Sequence, residues 1–243
     1  MKETVEIMNV PFDTTGMSGA VNKIMGFFED GGEHIVCTPN PEIVMEAQKD
    51  KVLFGILKAA DLVVPDGVGI VWASKFSKNV LKERVSGYDL CLKLFEKMKE
   101  SNKTVYLFGG APGVAAEAAK RISLKYKGIN VVGYRNGYFS AKDERKIIAD
   151  IKDVSPDLLL VGLGSPKQEK WIYDNLRFTG AKTAIGVGGS FDVMAGNVKR
   201  APAFYRKFGI EWLYRLIKQP SRFKRMLKLP EFAMLILIKR NVK

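Results

Sequence analysis

The sequence predicts an α/β protein: a mostly parallel sheet with helices on both faces, followed by a basic amphipathic helical appendage. Three observations predict it. Up to about residue 195, short β-branched runs alternate with longer helical patterns, the alternation that produces a parallel sheet covered on both sides. Several strand ends run into glycine-rich turns at the start of a helix. Beyond them the charge changes character: residues 199–243 hold thirteen Lys/Arg against two acids, Glu211 and Glu231, whereas residues 1–198 hold 26 basic against 24 acidic side chains.

Taken in order, the first strand is expected at Val5–Val10, followed by a helix over Thr15–Phe28. A strand at His34–Thr38 leads into a helix over Pro41–Ala60, where proline suits the first helical position. The short apolar run Leu62–Pro65 is a strand, with helices over Gly69–Phe76 and Tyr88–Lys99 after it. Strands at Thr104–Phe108, Asn130–Tyr134 and Leu158–Gly162 then alternate with helices over Val114–Lys127, Asp143–Lys152 and Lys167–Leu176. A last strand is expected at Thr183–Val187. From Phe204 to about Arg240 the pattern is a run of amphipathic helices punctuated by Pro220 and Pro230. The division expected is a catalytic domain over 1–195 and an appendage over 196–243.

A chain of 243 residues with 47% hydrophobic content buries a substantial core. Cys37 and Cys91 lie in apolar surroundings without CxxC or Cys/His spacing, so they are expected to be reduced and buried, with no structural zinc. The N-terminus lacks the basic and apolar regions of a signal peptide, and no run of about eighteen apolar residues occurs. A cytoplasmic location without a membrane span is therefore expected. The net charge of +13 belongs almost wholly to the tail. Segregated charge of this kind asks for an acidic partner: phospholipid, diphosphate or nucleic acid.

Three loops share one chemistry. YLFGGAPGVAA ends a strand on Gly109 and Gly110, LLLVGLGSPKQEKW does so with Gly162 and Gly164, and AIGVGGSFD places Gly186, Gly188 and Gly189 before Ser190. Glycine lets backbone N–H groups approach a ligand, and the open N–H groups of a helix start favour anions. Each loop alone also fits a merely steric turn. None matches GxGxxG or a P-loop, yet together they suggest a phosphate-rich pocket at the carboxyl edge of the sheet.

Among side chains able to do chemistry, Asp66 in VVPDGVG follows a strand and precedes a helix. It is a candidate general base and equally a candidate cap or turn residue. Thr38 and Asn40 in CTPNPEIV stand at the same edge, either to bind substrate or to start the next helix. Gln168 and Glu169 fall in a first helical turn, suited to capping or to ligand contact, and Asp192 has the same ambiguity. The single histidine, His34, lies within a strand and offers no triad or zinc arrangement. No Asp-x-Asp sequence occurs, so the usual divalent-cation motif of nucleotide-sugar transferases is absent. In the tail, aromatic and aliphatic residues interleave with Arg and Lys, which fits a membrane interface as well as an ordinary basic helix packed on the domain. The run Phe232–Ile238 is too short to span a bilayer and costly to leave in water. It is expected to insert shallowly, to pack on the domain or to join subunits, so a homo-oligomer stays open.

The segments TPNPEIV, VVPDGVGIVWASK, RVSGYDL, LFGGAPGVA, GLGSPKQEKWI and GVGGSFDVMAGNVKRAP, continuing into EWLYRLIKQPSRFKR, occur in order from Thr38 to Arg225. In these the chain resembles the WecG/TagA/CpsF family of glycosyltransferases, and within it the TagA-type N-acetylmannosaminyltransferases of wall teichoic acid synthesis. The resemblance implies a Rossmann-like domain whose appendage closes over the site. It implies an inverting, metal-independent transfer of N-acetylmannosamine from a UDP donor to the C4 hydroxyl of GlcNAc on undecaprenyl diphosphate, with no cofactor. The family's base falls on Asp66, and its pocket residues fall on Thr38, Asn40, Arg84 and Gln168. Its appendage arginines, which meet diphosphate near the membrane, match Arg215, Arg222 and Arg225. The partners implied are a UDP-sugar, a polyprenyl-diphosphate acceptor and an anionic membrane surface, with the protein peripheral on the inner face of the cell membrane. Competing readings are a uronic-acid donor in the same family, a nucleic-acid-binding protein with a basic arm, and a nucleotide-dependent oxidoreductase. The many large apolar residues of the tail disfavour the second, and the missing GxGxxG disfavours the third.

Overall fold

A computed structural model describes residues 3–207, 209–218, 220 and 223–239, without the side chains at 206, 207, 215, 224, 225 and 239. The first expected strand is in fact a hairpin of β1 (Thr4–Ile7) and β2 (Val10–Asp13), paired antiparallel with Ile7 opposite Val10. Met8 and Asn9 turn the chain with φ of 51° and 61°, the two positive values a tight hairpin turn requires. A Met-Asn turn lacks the glycine that would have announced it. The hairpin stays outside the main sheet, but Asp13 ties it there: its carboxylate accepts the Val63 N–H at 2.9 Å and the Lys23 ammonium at 3.0 Å.

The main sheet contains β3 (His34–Cys37), β4 (Leu62–Val63), β5 (Thr104–Gly109), β6 (Asn130–Arg135), β7 (Leu158–Gly162) and β8 (Thr183–Gly186). All neighbours are parallel, in the order β4-β3-β8-β7-β5-β6. The helices of the body are α1 (Met17–Phe27), α2 (Pro41–Ala47), α3 (Lys51–Ala59), α4 (Val68–Ser74), α5 (Gly87–Met98), α6 (Val114–Lys125), α7 (Ala141–Val154), α8 (Lys167–Thr179) and the short α9 (Ser190–Met194). The single helix expected over Pro41–Ala60 is two, because Asp50 leaves the helical conformation and its carboxylate caps the Val52 and Leu53 N–H groups at 3.1 Å.

Strands β4, β5, β7 and β8 are buried on both faces, as a covered parallel sheet demands, whereas the edge strand β6 is half-open. Leu158 and Leu160 of β7 pack with α1, α5 and α6, whereas Leu159 and Val161 pack with α7 and α8. A third core lies beyond the β3-β4 edge, where the hairpin, α2, α3 and α4 bury Val5, Phe12, Val44 and Ile70. Both thiols are buried and free, and desolvation pushes Cys91 up to about 12 and Cys37 higher still.

The tail carries α10 (Ala203–Lys207), α11 (Glu211–Lys218), α12 (Phe223–Met226) and α13 (Lys228–Lys239). Pro230 lies in the first turn of α13, where its missing N–H would have no helical partner anyway. Of the three fates expected for the Phe232–Ile238 run, packing on the domain accounts for one face. Phe232 and Ile236 are 2% and 1% exposed in the third core. The other face holds exposed Met234, Leu237 and Ile238. Lys228 pairs with Glu46 of α2, and Arg200 pairs with Asp89 of α5 at 2.5 Å while lying over the Tyr88 ring, so the tail is fastened at its root and its end. No helix among the described residues is long and apolar enough to cross a membrane.

Candidate functional site

The carboxyl ends of β3 and β4 bring three of the singled-out segments together. The Asp66 N–H donates to the Pro39 carbonyl at 3.3 Å, and the Val85 N–H donates to the Pro65 carbonyl at 2.8 Å. These two bonds lace the TPN, PDG and RVSG segments into one wall. Thr38 abuts Gly87, where a Cβ would come within 2.9 Å of the threonine Oγ1 and push that side chain aside. Asn40 takes the capping role: its Oδ1 accepts the Ile43 N–H at 3.0 Å at the start of α2.

Asp66 has a different setting. The cap position of α4 is Gly67, with φ 104°, and the Asp66 carboxylate reaches instead toward the start of α5. There Oδ2 accepts the Gly87 N–H at 3.3 Å and Oδ1 lies 3.4 Å from the Arg84 Nε. Its side chain remains partly open, at 29%. Arg84 also donates from Nη2 to Glu211 Oε2 of α11 at 2.9 Å, so one guanidinium stands between a carboxylate of the body and one of the tail. Burial opposes the Arg84 charge, but Asp66 and Glu211 together outweigh it and hold its pKa above the ordinary value.

Along the same strand edge, at β5, β7 and β8, the glycine loops surround a cavity of about 560 Å³. Gly110, Gly162, Gly164 and Gly188 line it, together with Tyr138, Lys167 and Asp192. Gly109 lies behind the wall: with φ 139° its backbone presses on that of Gly162, and any Cβ would collide with the Gly162 carbonyl. Two of the loop N–H groups are used internally, that of Gly110 by the Gly162 carbonyl at 3.0 Å and that of Gly188 by the Gln168 Oε1 at 2.9 Å. Gln168 is thus buried beneath the loop as a brace, its Nε2 donating to Glu169 Oε1 at 2.8 Å. The cation at the mouth is Lys167, whose ammonium lies 4.6 Å from the Phe139 ring centroid. A groove of about 590 Å³ between α6 and β6 starts at Gly113 of the first glycine loop and holds none of the candidate side chains Asp66, Thr38, Asn40, Arg84 or Gln168.

The described residues contain no group of three or more His, Cys, Asp or Glu side chains placed to hold a metal ion. Arg222 lies outside the described residues. Arg215 and Arg225 stand in α11 and α12, with their side chains outside them. The sequence reading passed over Glu211, Lys167 and Tyr138. Lys167 was within sight in the SPKQE segment, and Tyr138 beside Gly137, but no local spacing links Glu211 to Arg84.

A family model described as the glycosyl transferase WecG/TagA/CpsF family matches residues 5–243. A Bacillus spizizenii protein is 40% identical over 202 residues, covering 83% of this chain and 78% of the relative. A Bacillus subtilis protein is 35% identical over 236 residues, covering 97% and 91%. A Staphylococcus aureus protein is 34% identical over 230 residues, covering 94% and 90%. All three carry the name N-acetylglucosaminyldiphosphoundecaprenol N-acetyl-beta-D-mannosaminyltransferase. None of these names speaks of a uronic acid or of nucleic acid.

Proposed function

This chain belongs to the WecG/TagA/CpsF family of glycosyl transferases, and from that premise we propose that it transfers N-acetylmannosamine from a UDP donor to the C4 hydroxyl of GlcNAc on undecaprenyl diphosphate. The product is the linkage unit on which a wall teichoic acid is built. The observation that carries the site assignment is the Asp66 carboxylate, held by Arg84 and the Gly87 N–H at the strand edge that also holds the glycine-lined cavity.

Asp66 takes the proton from the acceptor hydroxyl as that oxygen attacks the anomeric carbon from the face opposite the diphosphate. The carbon–oxygen bond to the β-phosphate breaks, and its electron pair leaves with UDP. One displacement of this kind inverts the anomeric centre. The cavity takes the nucleotide diphosphate, where Lys167 supplies positive charge and the loop backbone sets the fit. Thr38 and Asn40 shape the wall beside Asp66, and Gln168 acts through the loop it braces. Arg215, Arg222 and Arg225 of the appendage bring cations to the diphosphates from the tail side.

The acceptor is anchored by a polyprenyl chain, so the reaction takes place at a membrane surface. Residues 196–243 serve as the docking appendage, with their charge directed to anionic lipid and the exposed Phe204, Ile217, Phe223, Leu227 and Ile238 to the interface.

The experiment is UDP release from UDP-N-acetylmannosamine with an alkyl-diphosphate-GlcNAc acceptor, in EDTA, for the parent and Asp66→Asn. Release is expected to need acceptor, to resist EDTA, and to fall about a hundred- to ten-thousand-fold in the variant while UDP still binds. Near-parental turnover of Asp66→Asn would remove Asp66 as the base. Dependence on a divalent ion would overturn the metal-independent reading.

A further inference from the structure

We propose that Glu211 is a positioning residue for the Asp66 base, holding Arg84 from the tail side so that the strength of the base is set by a side chain of the docked appendage. The inference rests on the reading of Asp66 as the base. Its ground is geometric. Arg84 is closer to Glu211, at 2.9 Å, than to Asp66, at 3.4 Å, and Glu211 is only 7% exposed.

An acid in the first turn of a helix commonly does no more than face the helix dipole, and an exposed side chain suffices for that. Glu211 is instead buried against a cation of another element, 127 residues away in the chain. Burying an acid is costly without a charged partner, so the pair is specific. Nor does tail docking hang on it. Arg200 with Asp89, Lys228 with Glu46, and the burial of Phe232 and Ile236 already fasten the appendage.

Among the described residues the charged groups facing Arg84 are Asp66, Glu211 and Asp89, the last carrying Arg200. The side chains of Arg206, Lys207 and Arg215 lie outside the described residues and stay constant between variants. Neutralising Glu211 removes a negative charge near Asp66 and takes away the acid closest to Arg84, leaving more of the guanidinium's charge to Asp66. Both changes favour the ionised form of Asp66, making it the weaker base.

The test measures kcat and KM across pH in the full-length parent, Glu211→Gln, Glu211→Asp and Asp66→Asn, with limited proteolysis to follow tail docking. In Glu211→Gln the acid limb of the kcat profile is expected to move to lower pH by about one unit and the plateau to fall about tenfold. Donor KM should stay within about twofold, the tail should remain docked, and Glu211→Asp should return the limb toward its parental position. An unmoved limb, an aspartate variant no better than the glutamine one, or a change confined to KM would overturn the inference. New cleavage near Lys199 in Glu211→Gln would overturn it too, by making Glu211 a docking residue. Turnover surviving in Asp66→Asn sinks the base assignment itself, whereas a dead Asp66→Asn beside an unmoved Glu211→Gln sinks only the role of Glu211.

Discussion

Glu169 is packed under the glycine loop, and its burial pushes the carboxyl above the ordinary glutamate value of 4.5, against the pull of its hydrogen bonds. Below that value the side chain is neutral folded or unfolded, and its contribution to stability is complete. As pH rises toward the raised folded value, the unfolded chain releases its proton first, so stability is progressively lost. Glu169→Gln keeps a carbonyl for Gln168 and has no proton to lose. Its urea midpoint, relative to the parent, is therefore expected to improve as pH rises from about 4.5, and an offset constant with pH would contradict the buried-acid account. What could be read from the chain at this scale follows from locality. Asp66, Thr38 and Asn40 stood out because they sit beside the glycine and proline that end strands. The brace made by Gln168 was half legible as a first-turn residue, while the partner it chose, the Gly188 N–H, comes from the next strand's loop. Glu211 was counted only as one acid among many bases.

The last helix shows what one element contributes through its two faces. Phe232 and Ile236 seat α13 on α2 and α4, and the ring lies close enough to Gly69 that a Cβ there would be 4.0 Å from it. Phe232→Ala removes the largest buried side chain among the described residues of the tail at a cost of about 3–5 kcal/mol. The tail is expected to undock and become protease-sensitive while UDP still binds, because the glycine-lined cavity belongs to other strands. Changing Met234, Leu237 and Ile238 to Ser together should leave protease protection intact and weaken vesicle binding. Equal loss of protection in both variants would remove the distinction between a seated face and a lipid-facing one. Helix and strand positions in the body were legible because the sheet is buried on both faces and its strands read as apolar runs. The hairpin and the break between α2 and α3 were not. Their cause is backbone conformation at Met8, Asn9 and Asp50, which hydrophobic periodicity does not report.

Across the whole molecule, charge is segregated along the chain. Nearly all of the net charge of +13 lies after residue 198, in a run of short helices that also exposes apolar side chains. Binding to anionic vesicles is expected to weaken as salt rises through the range where the screening length falls from about 10 Å to about 3 Å, leaving a salt-resistant remainder from the apolar contacts. Sedimentation with vesicles of fixed composition measures it, and binding indifferent to salt would remove the electrostatic part. The strand order carries a consequence of another kind, in time. The pair β4-β3 and the trio β7-β5-β6 share no hydrogen bonds, and β8 alone joins them. A growing chain thus makes the two parts of its sheet separately, each with an unpaired edge, and neither can close before Gly186 has been synthesised. The half that bears Asp66 and the half that bears the Gly109 and Gly162 loops meet only once β8 has been made, so between the synthesis of β6 and that of β8 the molecule is two incomplete sheets with exposed borders, open to pairing with other chains.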